Sequence, residues 1–493
     1  MGFGDLKFGY SDAYTEAQRD PDLLRHGYYD PMGLEDEVLH QHGFLVLGQK
    51  GSGKSAFAVR LQLQQTAELL VSSMMLGDFP FADFSSLQAG GAAKEARYPT
   101  AWRWLMCLSL LESFARDESM KLDDADRFRS SIAVLKSAGW ISADSLRALI
   151  VQNTRRSQVG FTLPVVGAST GKDSVTGQGL PFPAAIDTVA TLVSKFKSDA
   201  THILIIDGLD DLLIEQNMQW DILSALITAA NRLNEDLFSW EVEAKVVVLC
   251  RSDLFDRLPG ANTNKVRQDS SKTLNWYQDI KNPKLSHLVS LANLKASVRT
   301  PDRPDPLGDY LPGSFRLESG GEFETIEYLL EYTRHTPRDF LQLLDYIAAA
   351  CRSSDVIGKV PGDVIEAGVH NYCQEYFVGE VRNELFGLLS EEEIDLTKRL
   401  LRGLRRNRFF LHELETKVRN SSQYKDLPVE RIIDQLFNAG LIGNLIKGGD
   451  RAQPYTRFKY RNPFQELDRD MNLVLHNAVI NAFNIRRSSG GGL

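Results

Sequence analysis

Residues 44–55 read FLVLGQKGSGKS. The apolar run Phe44-Leu45-Val46-Leu47 predicts a short buried strand, and Ala56-Phe57-Ala58-Val59 opens a helical pattern. Between them, Gly48-Gln49-Lys50-Gly51-Ser52-Gly53-Lys54-Ser55 matches the phosphate-binding loop G-x-x-x-x-G-K-[ST] in the strand–loop–helix setting that the motif requires. Gly48, Gly51 and Gly53 let the backbone around Ser52 fold so that its N–H groups converge on phosphate, and the helix N-terminus adds a favourable dipole. Lys54 is expected to reach the β- and γ-phosphates, and the Ser55 hydroxyl to ligate Mg²⁺.

A second stretch completes such a site. Residues 202–213 read HILIIDGLDDLL, in which Ile203-Leu204-Ile205-Ile206 has the composition of a strand buried on both faces. Asp207 closes that strand, at the sheet edge where open parallel α/β folds bind ligands. Asp207 is expected to hold Mg²⁺ through its water shell, and Asp210 or Asp211 to orient and deprotonate the attacking water. A third apolar strand, 245–250, ends at Arg251, a candidate for sensing the γ-phosphate.

Composition is that of an ordinary globular chain: 493 residues, 43% apolar and 25% charged, enough for about three domains. No apolar run approaches the roughly 18 residues of a membrane span, and the first residues lack a signal-peptide pattern, so a cytoplasmic location with no membrane partner is expected. Cys107, Cys250, Cys351 and Cys373 are scattered without metal-ligand spacing, as reduced core thiols are. The net charge of −9 is uneven: from Ser390 onward 18 Lys and Arg face 13 Asp and Glu, a +5 tail behind a −14 remainder. DNA or RNA is therefore a possible partner for the tail alone, with solvated helix faces as the alternative.

Four regions follow in order: an N-terminal arm (1–43), a P-loop core (44–299), a linker and helical lid (300–388), and a winged-helix unit with a closing helix (389–493). In the arm, Tyr28 or Tyr29 is placed to stack on a base, the other reading being that the arm's aromatics only dock it to the core. Residues 69–81 are expected to give a strand and 98–113 an apolar helix with Trp102 and Trp104 in the core. Further helical pieces at 123–137 and 141–154 lead to a loop over 157–183, whose GASTGKD lacks the spacing of a second P-loop. The polar segment 262–276 reads as a loop, with Lys265, Arg267 or Lys272 available as a finger toward a neighbouring subunit. Residues 300–321 read as linker, and Thr336-Pro337 caps a helix. In the tail, helices near 390–406, 410–418 and 428–440 precede a hairpin (441–446 and 455–460) and a last helix at 473–485. Lys398, Arg399, Arg402, Arg405, Arg406, Arg457, Lys459 and Arg461 are the candidate DNA contacts; protein docking is the alternative.

The tiny residue after the first acid in Asp207-Gly208-Leu209-Asp210-Asp211, with Arg251 closing the next strand, resembles the NACHT and related STAND ATPases, relatives of the AAA+ group. The segments 8–13 (FGYSDA), 48–55, 207–211 and 258–276 together resemble a set of bacterial P-loop ATPases. The resemblance implies an α/β P-loop NTPase sheet with a helical lid, and an ATP·Mg²⁺ site whose catalytic acid is Asp210. It also implies a lid-helix arginine, here Arg338, touching the phosphates. It further implies ATP-dependent homo-oligomers, a separate protein effector and roles that include antiviral defence. AAA+ chains usually carry Glu directly after the first acid, whereas Gly208 stands here, which implies slow hydrolysis or a switch-like cycle. A nucleic-acid-dependent motor or loader is the competing reading.

Overall fold

In the computed structural model, β1 (Leu45–Gly48), β2 (Leu69–Met75), β3 (Thr201–Asp207), β4 (Ala244–Arg251) and β5 (Ser271–Leu274) form one sheet in the order β2-β3-β4-β1-β5. Every pairing in it is parallel. The structure describes residues 2–77, 94–121, 125–137, 182–209, 220–259, 263–318, 320–386, 389–404, 406–424, 427–446 and 455–486. The expected helix at 141–154 and the GASTGKD loop lie outside them, as do Asp210 and Asp211.

Strand alternation sorts the sheet's side chains into two layers. Leu45, Leu47, Leu204, Ile206, Val246 and Val248 face the helices Lys94–Ala115, Phe182–Ser194 and Trp220–Ser239. Val46, Ile203, Ile205, Val247 and Leu249 face the opposite way, onto Phe57, Ala58 and Leu61 of the loop-proximal helix Lys54–Leu63 and onto Leu34 and Val38. Both faces are thus covered, which is why these strands read as continuous apolar runs. Trp102 and Trp104 are buried as expected.

The polar segment at 262–276 is not a loop. It forms the helix Thr263–Ser270 and then β5, whose Ser271 and Lys272 pair in register with Leu45 and Val46. An edge strand covered on one side tolerates Ser, Lys and Thr, so its hydrophobic signal is weak. The segment read as linker likewise contains a helix, Pro306–Tyr310, and a hairpin, β6 (Ser314–Arg316) with β7 (Glu322–Glu324).

A second core joins elements far apart in sequence. Phe3, Leu6 and Phe8 from the arm pack with Leu288 and Leu291 of the helix His287–Ser297, and with Phe340, Leu344 and Ile347 of the helix Pro337–Ser353. The same cluster continues through the C-terminal helices Glu391–Arg402, Leu411–Arg419 and Val429–Asn438. Those helices accompany a four-stranded sheet ordered β10 (Tyr455–Arg457), β9 (Ile442–Ile446), β11 (Leu473–Leu475), β8 (Arg408–Phe409). Leu473-Val474-Leu475, expected to begin the last helix, is instead an inner strand of this sheet, and the helix that follows is Asn477–Ala482. Three apolar residues buried on every side look the same in sequence whether they start a helix or fill a sheet.

Candidate nucleotide-binding site

The loop 48–54 leaves the C-terminal end of β1 and turns into the helix Lys54–Leu63. Gly51 has φ +78°, and a Cβ there would lie 3.0 Å from Cβ of Arg338, so both its backbone angle and its surroundings require glycine. Trp276, just past β5, donates from Nε1 to the Ser52 carbonyl at 2.8 Å and so ties the loop to that end of the sheet. The Lys54 ammonium donates to the carbonyls of Gly48 (3.1 Å) and Gln49 (3.0 Å), which places its charge inside the loop's curve.

Two other parts of the chain close on this loop. The backbone N–H of Arg338, in the first turn of the helix Pro337–Ser353, donates to Gly51 O at 3.2 Å, and Thr336 caps that helix through Asp339 N. The arm helix Ala13–Arg19 packs against the helix Lys54–Leu63 that the loop opens. Between them lies a cleft shared by Gly53, Lys54, Ser55, Arg338, Tyr28 and Tyr29. Gly51, Gly53, Lys54, Ser55, Arg338 and Tyr29 are therefore gathered in one place. Tyr29 lines the cleft with its hydroxyl 3.5 Å from His287 Nδ1, while the Tyr28 ring lies under Arg60 at 4.7 Å.

Asp207 sits at the end of β3, 5% exposed. Its Oδ1 accepts the Gly208 N–H at 2.7 Å and its Oδ2 accepts the Tyr14 hydroxyl at 3.2 Å. Burial and the Asp207 charge both raise the Tyr14 pKa, so the phenol remains a donor. Gly208 has φ +86°, and a Cβ would stand 3.1 Å from the backbone nitrogens of Leu76 and Gly77. The chain approaches too closely here for a glutamate after the acid. Ser55 and Asp207 are hard oxygen donors with a single carboxylate between them, a set that suits Mg²⁺ completed by phosphate and water. Among the described residues no cluster of three His, Cys, Asp or Glu side chains would hold a metal unaided.

Arg251, at the end of β4, does not stand alone. It makes a bidentate pair with Asp253 (2.9 and 2.9 Å) and donates to Glu384 Oε2 at 3.1 Å. Burial by itself would raise the Asp253 pKa, but the guanidinium outweighs it and the carboxyl is shifted down. The sequence reading missed the hub of this network, Arg334. It is 4% exposed and binds Asp339 through Nε at 2.8 Å, Glu384 at 3.0 Å and Glu380 at 3.1 Å. Burial opposes its charge, yet the three carboxylates raise its pKa well above the usual value. Glu380 and Glu384 lie on the helix Val378–Leu385, directly after a π turn at Tyr372–Phe377, a local widening that resets the face the following residues present. A charged residue before T-P-R-D would have been the only signal. Of the finger candidates, Arg267 pairs with Asp256 and Lys272 lies 3.9 Å from Glu37.

The loop's other flank opens into a recess shared by Gln49, Lys50, Arg251 and His335 with Lys459 and Phe464 of the C-terminal unit. That unit is docked through Arg257 to Gln435 (2.9 Å), Gln435 to Glu384 O (3.0 Å), Arg461 to Glu331 (2.6 Å) and His476 to Thr333 O (3.1 Å).

The loop on β1, the acid on β3 and the intervening strand β4 give the α/β fold of P-loop nucleotide-binding proteins. No protein-family model and no curated protein matches the chain. Among solved structures it is similar to RuvB, the Holliday junction branch migration motor of Thermotoga maritima. That match has 12% identity and a TM-score of 0.30 over 90% of this chain and all (100%) of that one. It is also similar to the ORC2 protein of Aeropyrum pernix in its ADPNP–ADP complexes, at 10% identity and TM-score 0.39, over 94% and 97% of the two chains. At such distance the sheet order and loop geometry carry the fold by themselves. No helix among the described residues is long and apolar enough to cross a membrane.

Proposed function

We propose that this chain is an ATP-binding and ATP-hydrolysing regulatory ATPase, related to the AAA+ and STAND groups, whose C-terminal winged-helix unit responds to the nucleotide. The observation that carries this reading is the junction at the loop. Gly51 is bonded to the lid helix at Arg338, and the neighbouring Arg251 is paired to Glu384 of a lid helix that in turn holds Gln435 of the C-terminal unit. In this reading Lys54 and Arg338 bind the phosphates, Ser55 and Asp207 the Mg²⁺, Tyr29 borders the base, and Asp210 or Asp211 activates water. Arg251 exchanges a lid carboxylate for the γ-phosphate when ATP arrives, which frees the lid to move.

Most tail cations that would favour a DNA motor already have partners inside the protein. Lys398 meets Asp395 (3.4 Å), Arg406 meets Glu413 (2.6 Å), Arg461 meets Glu331 (2.6 Å), and Arg402 lies 5.5 Å over Phe483. A cytoplasmic switch that assembles on ATP and presents its tail to a separate protein effector fits these pairings, and the STAND resemblance favours a setting such as antiviral defence. Size-exclusion mass measurement with ATP or ADP, beside steady-state turnover with and without DNA, tests it. The expected result is ATP-dependent assembly with slow turnover indifferent to DNA. DNA-stimulated turnover lost on charge reversal of Arg402 and Arg406 would overturn it in favour of a motor.

A further inference from the structure

The N-terminal arm reaches the metal end of the site as well as its base end. Tyr14 lies 193 residues from Asp207 in sequence, yet its hydroxyl meets Oδ2 of that carboxylate at 3.2 Å. It also lies 3.0 Å from Sδ of Met75, whose Cα is the register partner of Asp207 across β2 and β3. A phenol has one hydrogen to give, and a carboxylate is a far better acceptor than a thioether, so the proton belongs to Asp207. With Gly208 N–H on Oδ1 at 2.7 Å, both oxygens of the acid are engaged and the plane of the carboxylate is fixed.

The arm that delivers this hydroxyl is itself anchored. Asp12 caps the helix Ala13–Arg19 by accepting from Thr15 N at 2.7 Å. One turn on, Glu16 is buried, accepts the Tyr10 N–H at 2.8 Å and pairs with Lys295 of the helix His287–Ser297. The side chains of that pair are 4% and 8% exposed, so water competes little for them. Tyr10, Asp12 and Glu16 border the cleft that holds Lys54 and Ser55.

We infer that Tyr14 is a positioning residue for the metal-binding acid, orienting the Asp207 carboxylate toward the Mg²⁺ that accompanies the nucleotide. The inference rests on the nucleotide reading of the loop. Mg²⁺ demands near-octahedral geometry and keeps several of its waters, so an acid that holds it through that water shell must be aimed, and groups in that outer shell are typically worth 10- to 100-fold in metal affinity. An arm outside the sheet thereby becomes part of the site, and displacement of the arm loosens the metal before it loosens the phosphates.

The test compares wild type with Tyr14→Phe, which keeps the ring and its packing. ATP affinity is measured in excess EDTA, and Mn²⁺ affinity of the ATP complex by electron paramagnetic resonance. ATP affinity without metal is expected to stay within about twofold, and Mn²⁺ affinity to fall roughly tenfold. Unchanged Mn²⁺ affinity would overturn the inference, even if turnover or thermal stability dropped, since a merely structural arm would give that pattern. A wild-type protein that binds no ATP at all is a different result, which defeats the nucleotide reading instead.

Discussion

Arg251 and Glu384 join the C-terminal end of the middle strand β4 to the lid at 3.1 Å, and the other oxygen of the same carboxylate is held by Arg334 at 3.0 Å. One buried acid, with its side chain 2% exposed, therefore serves two guanidiniums from different parts of the chain. Glu384→Gln keeps the shape but removes the charge that both arginines share. Removing one partner from a buried ion pair typically costs about 3–5 kcal/mol, because the remaining charges stay desolvated. The remaining contacts to Asp253, Asp339 and Glu380 place this variant at the lower end, about 3 kcal/mol. Urea denaturation measures the loss, and a midpoint unchanged from wild type would show that Glu384 does not bind the network together.

Lys54→Ala is expected to abolish ATP binding. The ammonium is buried and donates to Gly48 O and Gln49 O within the loop, whereas Lys50, the loop's other lysine, is less buried. A titration calorimetry trace with affinity near wild type would remove the loop from the site.

Asp210→Asn should leave ATP bound and unhydrolysed, since the amide keeps the size of the acid and loses its basicity. Asp211→Asn serves as the paired measurement. If that variant alone stops turnover at full ATP occupancy, the catalytic base is Asp211.

The strands that carry the site were legible because burial on both faces leaves no choice of residue: Val46, Ile203 to Ile206 and Val246 to Leu249 had to be apolar. The loop was legible for a different reason, that phosphate wrapping demands glycine at fixed positions. β5 was hidden because an edge strand keeps polar residues, and β11 because three apolar residues do not define a period. Arg334 and Tyr14 were hidden for a deeper reason. Besides Asp339, Arg334 needs Glu380 and Glu384, 46 and 50 residues away, and Tyr14 needs Asp207, 193 residues away; only the folded chain brings such groups together.

The same limit works in reverse at Ser113, His202 and Asp117. Ser113 Oγ lies 2.9 Å from His202 Nδ1, and His202 Nε2 lies 3.0 Å from Asp117 Oδ2, the distances of a hydrolytic triad. All three are at most 2% exposed, and the rings of Phe114 and Phe196 meet the imidazole edge-on at 4.9 and 5.2 Å. Buried among those rings, this set ties the helix Lys94–Ala115 to β3.

His476 gives the tail a pH dependence whose sign is fixed by its hydrogen bonds. Its Nε2–H donates to Thr333 O at 3.1 Å and its Nδ1 accepts from Ala478 N at 3.2 Å, so both nitrogens are satisfied only in the neutral ring. A proton on Nδ1 would face the Ala478 N–H. Burial, outweighing the Thr333 carbonyl that favours the charged form, lowers the pKa from 6.5 to about 4. The folded state thus binds this proton less readily than the unfolded chain. Its contribution is fully present above pH 6.5 and is lost as pH falls toward 4, by roughly 3 kcal/mol in all. His476→Gln can still donate to Thr333 O and does not titrate. Urea midpoints from pH 7 to pH 4 should therefore fall less steeply for this variant than for wild type, and parallel curves would show that His476 is not what makes the docked tail sensitive to acid.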